Sequence, residues 1–206
     1  MYKLLFKRLI DIVIGLIALP FVLLAIMCTA PVIWIIDGGP IFYNATRAGK
    51  GYKPFKMFKL RSMYMNSPDL KNADGSTFNS DQDPRVTPIG RVLRKTSLDE
   101  FPQFLNILIG DMSFIGPRPK LYKEGRLEQS DVTEDMKKSF TVKPGVTGYA
   151  QAFFRNSITQ DEKFKWDAYY ADNISLFLDM KIFWRTIVSV LGRKNINTQQ
   201  SYKEEK

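Results

Sequence analysis

Asp99 and Glu100 form an adjacent acidic pair at the apparent start of a helix. Arg94 lies just upstream, and the basic loop Gly116-Pro117-Arg118-Pro119 lies just past the helix. Two prolines fix the backbone around Arg118, which limits the entropy lost when its guanidinium grips a phosphate. Carboxylates beside held arginines point to metal-assisted chemistry on a phosphate. Lys59, Arg61, Arg94, Arg118 and Arg155 are the candidate phosphate contacts, although each alone reads as well as a solvated surface charge. Ser97-Leu98-Asp99-Glu100 also spells a helix capping box, with Ser97 as N-cap and Glu100 reaching back. Pro102 complicates that reading, because it leaves the Leu98 carbonyl without its usual donor. With Asp99 as the cap, Pro102 falls in the first turn and does no harm. Either arrangement sets the acidic pair at the positive end of a helix dipole, which favours nearby anions.

The elements that must position these groups belong to a chain of 206 residues, suited to one domain with an appendage. Hydrophobic residues make up 45%, enough for a core, and charged residues 25%, so disorder is not expected. The net charge of +9 implies an anionic partner: nucleic acid, acidic lipid or a phosphorylated small molecule. There is no histidine, so none acts as base, nucleophile or metal ligand. The single cysteine, Cys28, excludes an internal disulfide and a cysteine-rich zinc site. No P-loop or dinucleotide fingerprint is present.

Leu9 to Ile36 is almost continuously apolar and exceeds the about 20 residues that span a bilayer. It is too long for a signal peptide and no small-residue cleavage site ends it. Pro20 falls mid-segment, where it kinks a helix. Basic residues flank both ends: Lys3, Lys7 and Arg8 before, Arg47, Lys50, Lys53 and Lys56 after. The positive-inside tendency then favours both ends in the cytoplasm. A broken, re-entrant helix meets both observations better than a spanning one. Asp11 is expected at the interface near Lys7 and Arg8, since a carboxylate at the bilayer centre is costly.

Further along, Ile41-Phe42-Tyr43 reads as a short strand and residues 47–52 as a basic hairpin. Phe55 to Arg61 alternates apolar and basic residues, as in a half-exposed strand. Residues 66–84 read as a surface loop. Ile89–Lys95 and Phe101–Ile109 read as helices, the latter stopped by Gly110. Residues 120–139 suggest a charged helix with a loop, Lys143–Gly148 a turn-rich loop, and 160–172 a helix. Residues 174–191 form a second apolar stretch, readable as a core helix or as an amphipathic helix in the membrane interface. The expected class is α+β: a mostly helical single domain with a short β-hairpin, an N-terminal re-entrant membrane helix and interfacial amphipathic helices. The division is 1–36 re-entrant helix, 37–194 catalytic domain and 195–206 polar tail.

The chain resembles the bacterial sugar transferases, the monotopic phosphoglycosyl transferases in their small one-domain form. The resemblance covers nearly the full length. It rests on Lys7-Arg8-x-x-Asp11, the Pro-broken apolar helix, Arg47-x-Gly49, Phe58-Lys59-x-Arg61-Ser62-Met63 and Asp83-Pro84-Arg85-Val86-Thr87. It continues through Leu93 to Gln103, Gly110-Asp111-Met112-Ser113-x-x-Gly116-Pro117-Arg118-Pro119 and Lys143-Pro144-Gly145-x-Thr147-Gly148-x-Ala150-Gln151. Arg155, Asp167-x-Tyr169-Tyr170-x-x-Asn173-x-Ser175 and Asp179 complete it. One departure is Leu19, where members often carry Ser before the helix-breaking Pro20.

The resemblance implies transfer of a sugar-1-phosphate from a UDP-sugar to polyprenyl (undecaprenyl) phosphate, with release of UMP, as the first membrane step of glycoconjugate or polysaccharide synthesis. It implies Asp99 as nucleophile through an aspartyl-phosphosugar intermediate. It implies Asp99 and Glu100 as catalytic and Mg²⁺-binding residues, and Lys59, Arg94, Arg118 and Arg155 as phosphate and nucleotide contacts. Glu100 is read as metal ligand, helix cap or both. The implied setting is the bacterial cytoplasmic membrane, with the catalytic domain on the cytoplasmic face. Nucleic acid is not an expected partner, and homo-oligomerisation is left open. The competing class is a non-catalytic, membrane-anchored basic binding protein.

Overall fold

The computed structural model describes residues 2–68, 70, 80, 82–155 and 157–191. The expected polar tail, 195–206, and much of the 66–84 loop lie outside the described residues. A π-helical turn, Tyr2–Phe6, leads into α1, Lys7–Asp37, with Pro20 and Pro31 inside it. By length and composition α1 could cross a membrane. Most of it is exposed, but Asp11, Gly15, Val22 and Ile33 are buried. Their spacings of four, seven and eleven residues put them on one helical face.

That face is tied to the rest of the chain near both ends. At the start, Asp11 is buried against the domain rather than paired with Lys7 or Arg8. Its carboxylate accepts from Ser113 Oγ (3.0 Å) and the Phe114 N–H (2.8 Å), so the charge is met by donors. Arg8 instead donates to the Ile107 and Leu108 carbonyls at 2.6 and 2.9 Å. These carbonyls lie in the last turn of α3, Gln103–Ile109, where a cation also favours the dipole. Lys7 and Tyr2 both reach Asp179, which also accepts from Tyr170. At the far end, Asp37 accepts from Arg61 at 2.6 Å and from the Met65 N–H at 2.8 Å. Ile33 and Ile26 pack with Leu60 and Leu93.

The expected hairpin is present as β1, Ala45–Ala48, and β2, Pro54–Met57, with Arg47 opposite Phe55. Phe42 contributes only an isolated bridge to Leu60 rather than a strand. Helix α2, Pro88–Thr96, starts on Thr87, whose hydroxyl accepts from the Gly90 N–H. β3, Ser113–Ile115, follows α3. β4, Lys120–Leu121, joins the open edge of β1 to give the order β2-β1-β4. Residues 120–139 thus supply a strand and the short α4, Glu134–Ser139, rather than one charged helix. Residues 143–148 are not simply a turn: β5, Gly145–Thr147, pairs in parallel with β3. Helices α5, Tyr149–Phe153, α6, Gln160–Asp172, and α7, Leu176–Leu191, complete the order.

Helix α7 buries Leu178, Asp179 and Ile182. Its other side leaves Phe177 80% and Trp184 68% exposed, with Met180 and Val188 in the same row. α6 starts on a real capping box, with Thr159 and Glu162 bonded reciprocally.

The β3–β5 junction depends on three glycines. A Cβ on Gly145 would stand 2.1 Å from the Gly116 nitrogen, and one on Gly148 would stand 2.1 Å from the Gly116 oxygen. The reason is backbone-on-backbone packing, with Gly116 N–H donating to the Thr147 carbonyl (2.8 Å) and Gly145 N–H to that of Pro117 (2.9 Å). Gly148→Ala is therefore expected to cost about 1–3 kcal/mol as an overpacking change. That is a fall of about 2–12 °C in the thermal midpoint for a chain of this size, read by a calorimetric or fluorescence melt. An unchanged midpoint would refute this packing account.

Candidate active site

Asp99 is only 3% exposed, so its carboxylate must be met by charge or donors. Lys59 Nζ stands 2.8 Å from Asp99 Oδ2 and 3.6 Å from Glu100 Oε1. Lys59 is held there by its neighbours. Asn106, fully buried on α3, accepts from the Phe58 N–H (2.8 Å) and donates to the Lys56 carbonyl (2.8 Å). On the other side, the Leu60 N–H donates to the Asp99 carbonyl at 2.9 Å. The segment after β2 is thus bonded to the very residue its lysine pairs with.

The acidic pair does not sit in the first turn of a capped helix. Leu98–Glu100 forms a separate 3₁₀ turn, and α3 starts only at Gln103, after Pro102. Ser97 has left-handed backbone (φ +59°) and ends α2, its N–H donating to the Leu93 and Arg94 carbonyls. Its side chain caps nothing, so the capping-box role of Ser97 and Glu100 is ruled out. Glu100 is turned instead toward cations.

Arg118 Nη2 lies 3.5 Å from Glu100 Oε1, while Arg118 itself remains 54% exposed at its side chain. Burial alone would push the Glu100 carboxyl up. The charges of Arg118 and Lys59 outweigh that and hold it below the usual carboxylate range. Arg94 donates from Nε to Ser62 Oγ at 3.0 Å. Burial lowers its guanidinium, and Asp99 is the leading charge opposing that shift. Behind it, Asp83 and Arg85 form a buried pair, with Arg85 Nε 2.9 Å from Oδ1 and Nη2 2.7 Å from Oδ2. The Ser62 carbonyl accepts from the Thr87 N–H at the start of α2, which ties the segment presenting Ser62 to the residues just after that pair.

Four of the expected residues therefore converge with Asp99: Lys59, Glu100, Arg118 and Arg94. Two do not. Arg61 is spent on the end of α1, bonded to Asp37 and to the Gly38 carbonyl. Arg155 ends α5 with left-handed backbone (φ +51°), and its described interactions do not include Asp99 or Glu100. Pro20 lies inside α1, which runs as one continuous helix from Lys7 to Asp37, so the expected break at Pro20 is not seen.

Arg47 was not expected at the site. It sits on β1 within electrostatic reach of Arg118 and Glu100, and its buried Nε has no hydrogen-bond partner. A buried donor without an acceptor costs free energy, which a bound anion would recover. The only sequence signal was its place in Arg47-x-Gly49. Next to Arg118, a small cleft is walled by Gly49, Pro117, Lys120 and Phe140. Lys120 lies over the Phe164 ring at 4.9 Å, and burial pulls its ammonium down to about 8. Burial likewise pushes the facing Asp167 up to about 6.

The sign of the Glu100 shift makes a direct test. Its carboxyl is held low in the folded protein, so the stability it contributes is present above its unfolded value and lost as pH falls. Arg118→Met removes the leading charge that holds it low. Its titration, followed by ¹³C NMR of the labelled carboxyl, is expected to move to higher pH. An unmoved titration would mean that Arg118 is not its electrostatic partner.

The bacterial sugar transferase family matches residues 2–193 of this chain. An uncharacterised sugar transferase, EpsL, of Bacillus subtilis is 38% identical over 190 residues, which cover 92% of this chain and 89% of EpsL. A UDP-N-acetylgalactosamine-undecaprenyl-phosphate N-acetylgalactosaminephosphotransferase of Aeromonas hydrophila is 38% identical over 188 residues, covering 90% of this chain but 43% of that protein. An undecaprenyl-phosphate galactose phosphotransferase of Salmonella typhimurium is 39% identical over 168 residues, covering 76% and 34%. The chain thus spans less than half of the latter two relatives and most of EpsL. It belongs to the bacterial sugar transferase family.

Proposed function

We propose that the protein is a membrane-bound phosphoglycosyl transferase. It moves a sugar-1-phosphate from a UDP-sugar to a polyprenyl phosphate, releasing UMP. The observation that carries this reading is the buried Asp99, paired to Lys59 and set beside Glu100, Arg118, Arg94 and Arg47. A carboxylate nucleophile facing a diphosphate must overcome like-charge repulsion, and this ring of cations does that. The printed activities of the Aeromonas and Salmonella relatives agree with it.

In the first step an Asp99 carboxylate oxygen attacks the sugar-bearing β-phosphorus. The bond between that phosphorus and the UMP oxygen breaks, and UMP leaves with the electron pair. In the second step an oxygen of the lipid phosphate attacks the same phosphorus, and the acyl-phosphate bond between that phosphorus and the Asp99 oxygen breaks. The product is a polyprenyl diphosphosugar, and the carboxylate is regenerated. The second nucleophile needs no general base, because a phosphate monoester with a second pKa of about 6 is already largely dianionic at neutral pH. Lys59, Arg94 and Arg118, joined by Arg47, stabilise the charge on the transferring phosphoryl group.

Asp99 and Glu100 are the residues that would hold Mg²⁺. An ion that keeps several waters and needs one or two carboxylates besides substrate phosphates fits this pair. When bound, the ion supplies neutralising charge for the diphosphate.

The anchor suits this chemistry. Both ends of α1 bond to the same domain, which supports a placement with both ends on the face where nucleotide sugars are available. The exposed Phe177, Met180 and Trp184 of α7, beside Lys181 and Arg185, lie at the interface.

Asp99→Asn is expected to lower UMP release from UDP-sugar and polyprenyl phosphate at least about 10³-fold, as loss of a nucleophile does, with membrane binding retained. A screen of UDP-sugars by UMP release identifies the donor in the same assay. Wild-type turnover in Asp99→Asn would overturn the nucleophile assignment. Absence of UMP release with every UDP-sugar would favour a non-catalytic membrane-bound protein.

A further inference from the structure

Between the first turns of α1 and the start of α7 lies a cavity of about 130 Å³. Ile10, Ile14, Phe114, Leu176, Met180 and Phe183 make its apolar lining. Its polar end holds Tyr2, Lys7, Asp11 and Asp179. These groups are mutually satisfied. Asp179 takes the Lys7 ammonium at 2.8 Å and the Tyr2 hydroxyl at 2.6 Å, and Asp11 is filled by Ser113 and Phe114. With one ammonium against two carboxylates, the cavity has no spare positive charge for a phosphate. It is built for a hydrocarbon tail and not for a headgroup.

The cavity is also linked to the acidic pair. Phe101 follows Glu100 directly and lies 6.2 Å, ring centre to ring centre, from Phe104. Phe104 is 6.0 Å from Phe114, and Phe114 is 6.0 Å from Phe183. An aromatic row therefore runs from the catalytic turn to the cavity wall. Its rings are half-buried, apart from the more exposed Phe183. A dry, aliphatic cavity of about 150 Å³ holds one benzene-sized molecule. This one accordingly takes about one five-carbon unit of a chain that continues into lipid.

We infer that this row and cavity form the seat of the isoprenoid chain of the acceptor, leading it away from the phosphate held at Asp99. The assignment rests on the transferase reading above. It commits the site to a prenyl chain that ends in a phosphate, because the row begins beside the group that phosphate must meet. A phospholipid acyl chain has no reason to follow a path that ends at Glu100.

The test uses the full chain in detergent or nanodiscs. Long-chain (eleven-isoprene) and two-isoprene polyprenyl phosphates are compared as acceptors, in wild type and in Met180→Trp. Met180 is 56% exposed, so tryptophan there fills the mouth of the cavity rather than its core. One buried five-carbon unit is worth up to a few kcal/mol at about 0.8 kcal/mol per methylene. Wild type is therefore expected to show a KM for the long chain at least about tenfold below that for the short one. Met180→Trp is expected to erase most of that difference.

A diazirine-bearing polyprenyl phosphate should label α1 and α7 around Ile10, Met180 and Phe183 in wild type. Excess polyprenyl phosphate should chase the label, and phospholipid should not. An unaltered chain preference in Met180→Trp, label elsewhere, or label chased by phospholipid would each overturn the assignment. Formation of the Asp99 phosphosugar adduct from UDP-sugar alone separates the two claims. Its absence in wild type defeats the transferase reading. Its presence with any of those three results defeats only the prenyl seat.

Discussion

The structure turns on a buried carboxylate that one lysine holds at 2.8 Å. An uncompensated charge at Asp99 would be strongly destabilising, so the chain must deliver Lys59 to it. It does so with two fixed points. Asn106 grips the end of β2, and the Leu60 N–H bonds the Asp99 backbone. The lysine between them has little freedom left to lose when it meets its partner. Charged groups then gather around that pair from four separate segments: Arg47 on the hairpin, Arg94 on α2, Glu100 on the 3₁₀ turn and Arg118 after β3. Each segment is braced by its own contact, with the glycine junction of β3 and β5 setting the Arg118 loop and the Asp83–Arg85 pair standing behind Ser62 and Arg94.

The same logic extends to the membrane side. Helix α1 is apolar over most of its surface, yet its few polar residues do the docking. Arg8 closes the end of α3, Asp11 takes the edge of β3, Lys7 joins the Asp179 cluster, and Asp37 holds Arg61. On the proposed reading, a helix bound near both ends by one domain is what keeps the soluble site close to the bilayer surface. A donor that arrives from water and an acceptor that cannot leave lipid need that placement.

Much of this was legible in the residue pattern, and the misses have physical causes. The basic hairpin at 47–52 and the helices at 89–95 and 160–172 were legible, and the structure adds their caps, Thr87 for α2 and the Thr159–Glu162 box for α6. Ser97-Leu98-Asp99-Glu100 carries the same local pattern as that α6 box and yet caps nothing. The difference is context: Ser97 is already used to end α2 in left-handed backbone, and Pro102 delays the next helix. Lys59 and Arg61 looked equivalent under two-residue alternation, but β2 stops at Met57 and the rule lapses there. One side chain reaches Asp99 and the other Asp37. The β3–β5 pair was hidden because its glycines suggest turning, whereas here they let two backbones touch. Arg47 had no signal beyond its place in Arg47-x-Gly49, since its role shows only once Arg118 and Glu100 are brought near its buried, unbonded Nε.

The central claim is that Asp99 itself becomes bonded to phosphorus. The most direct measurement is intact-protein and peptide mass spectrometry after rapid acid quench of the enzyme with its UDP-sugar and no lipid acceptor. The account predicts a mass increase of one sugar-phosphate on the peptide containing Asp99, lost on adding polyprenyl phosphate and absent from Asp99→Asn. Turnover to lipid product with no adduct at any time, or an adduct on another residue, would contradict it.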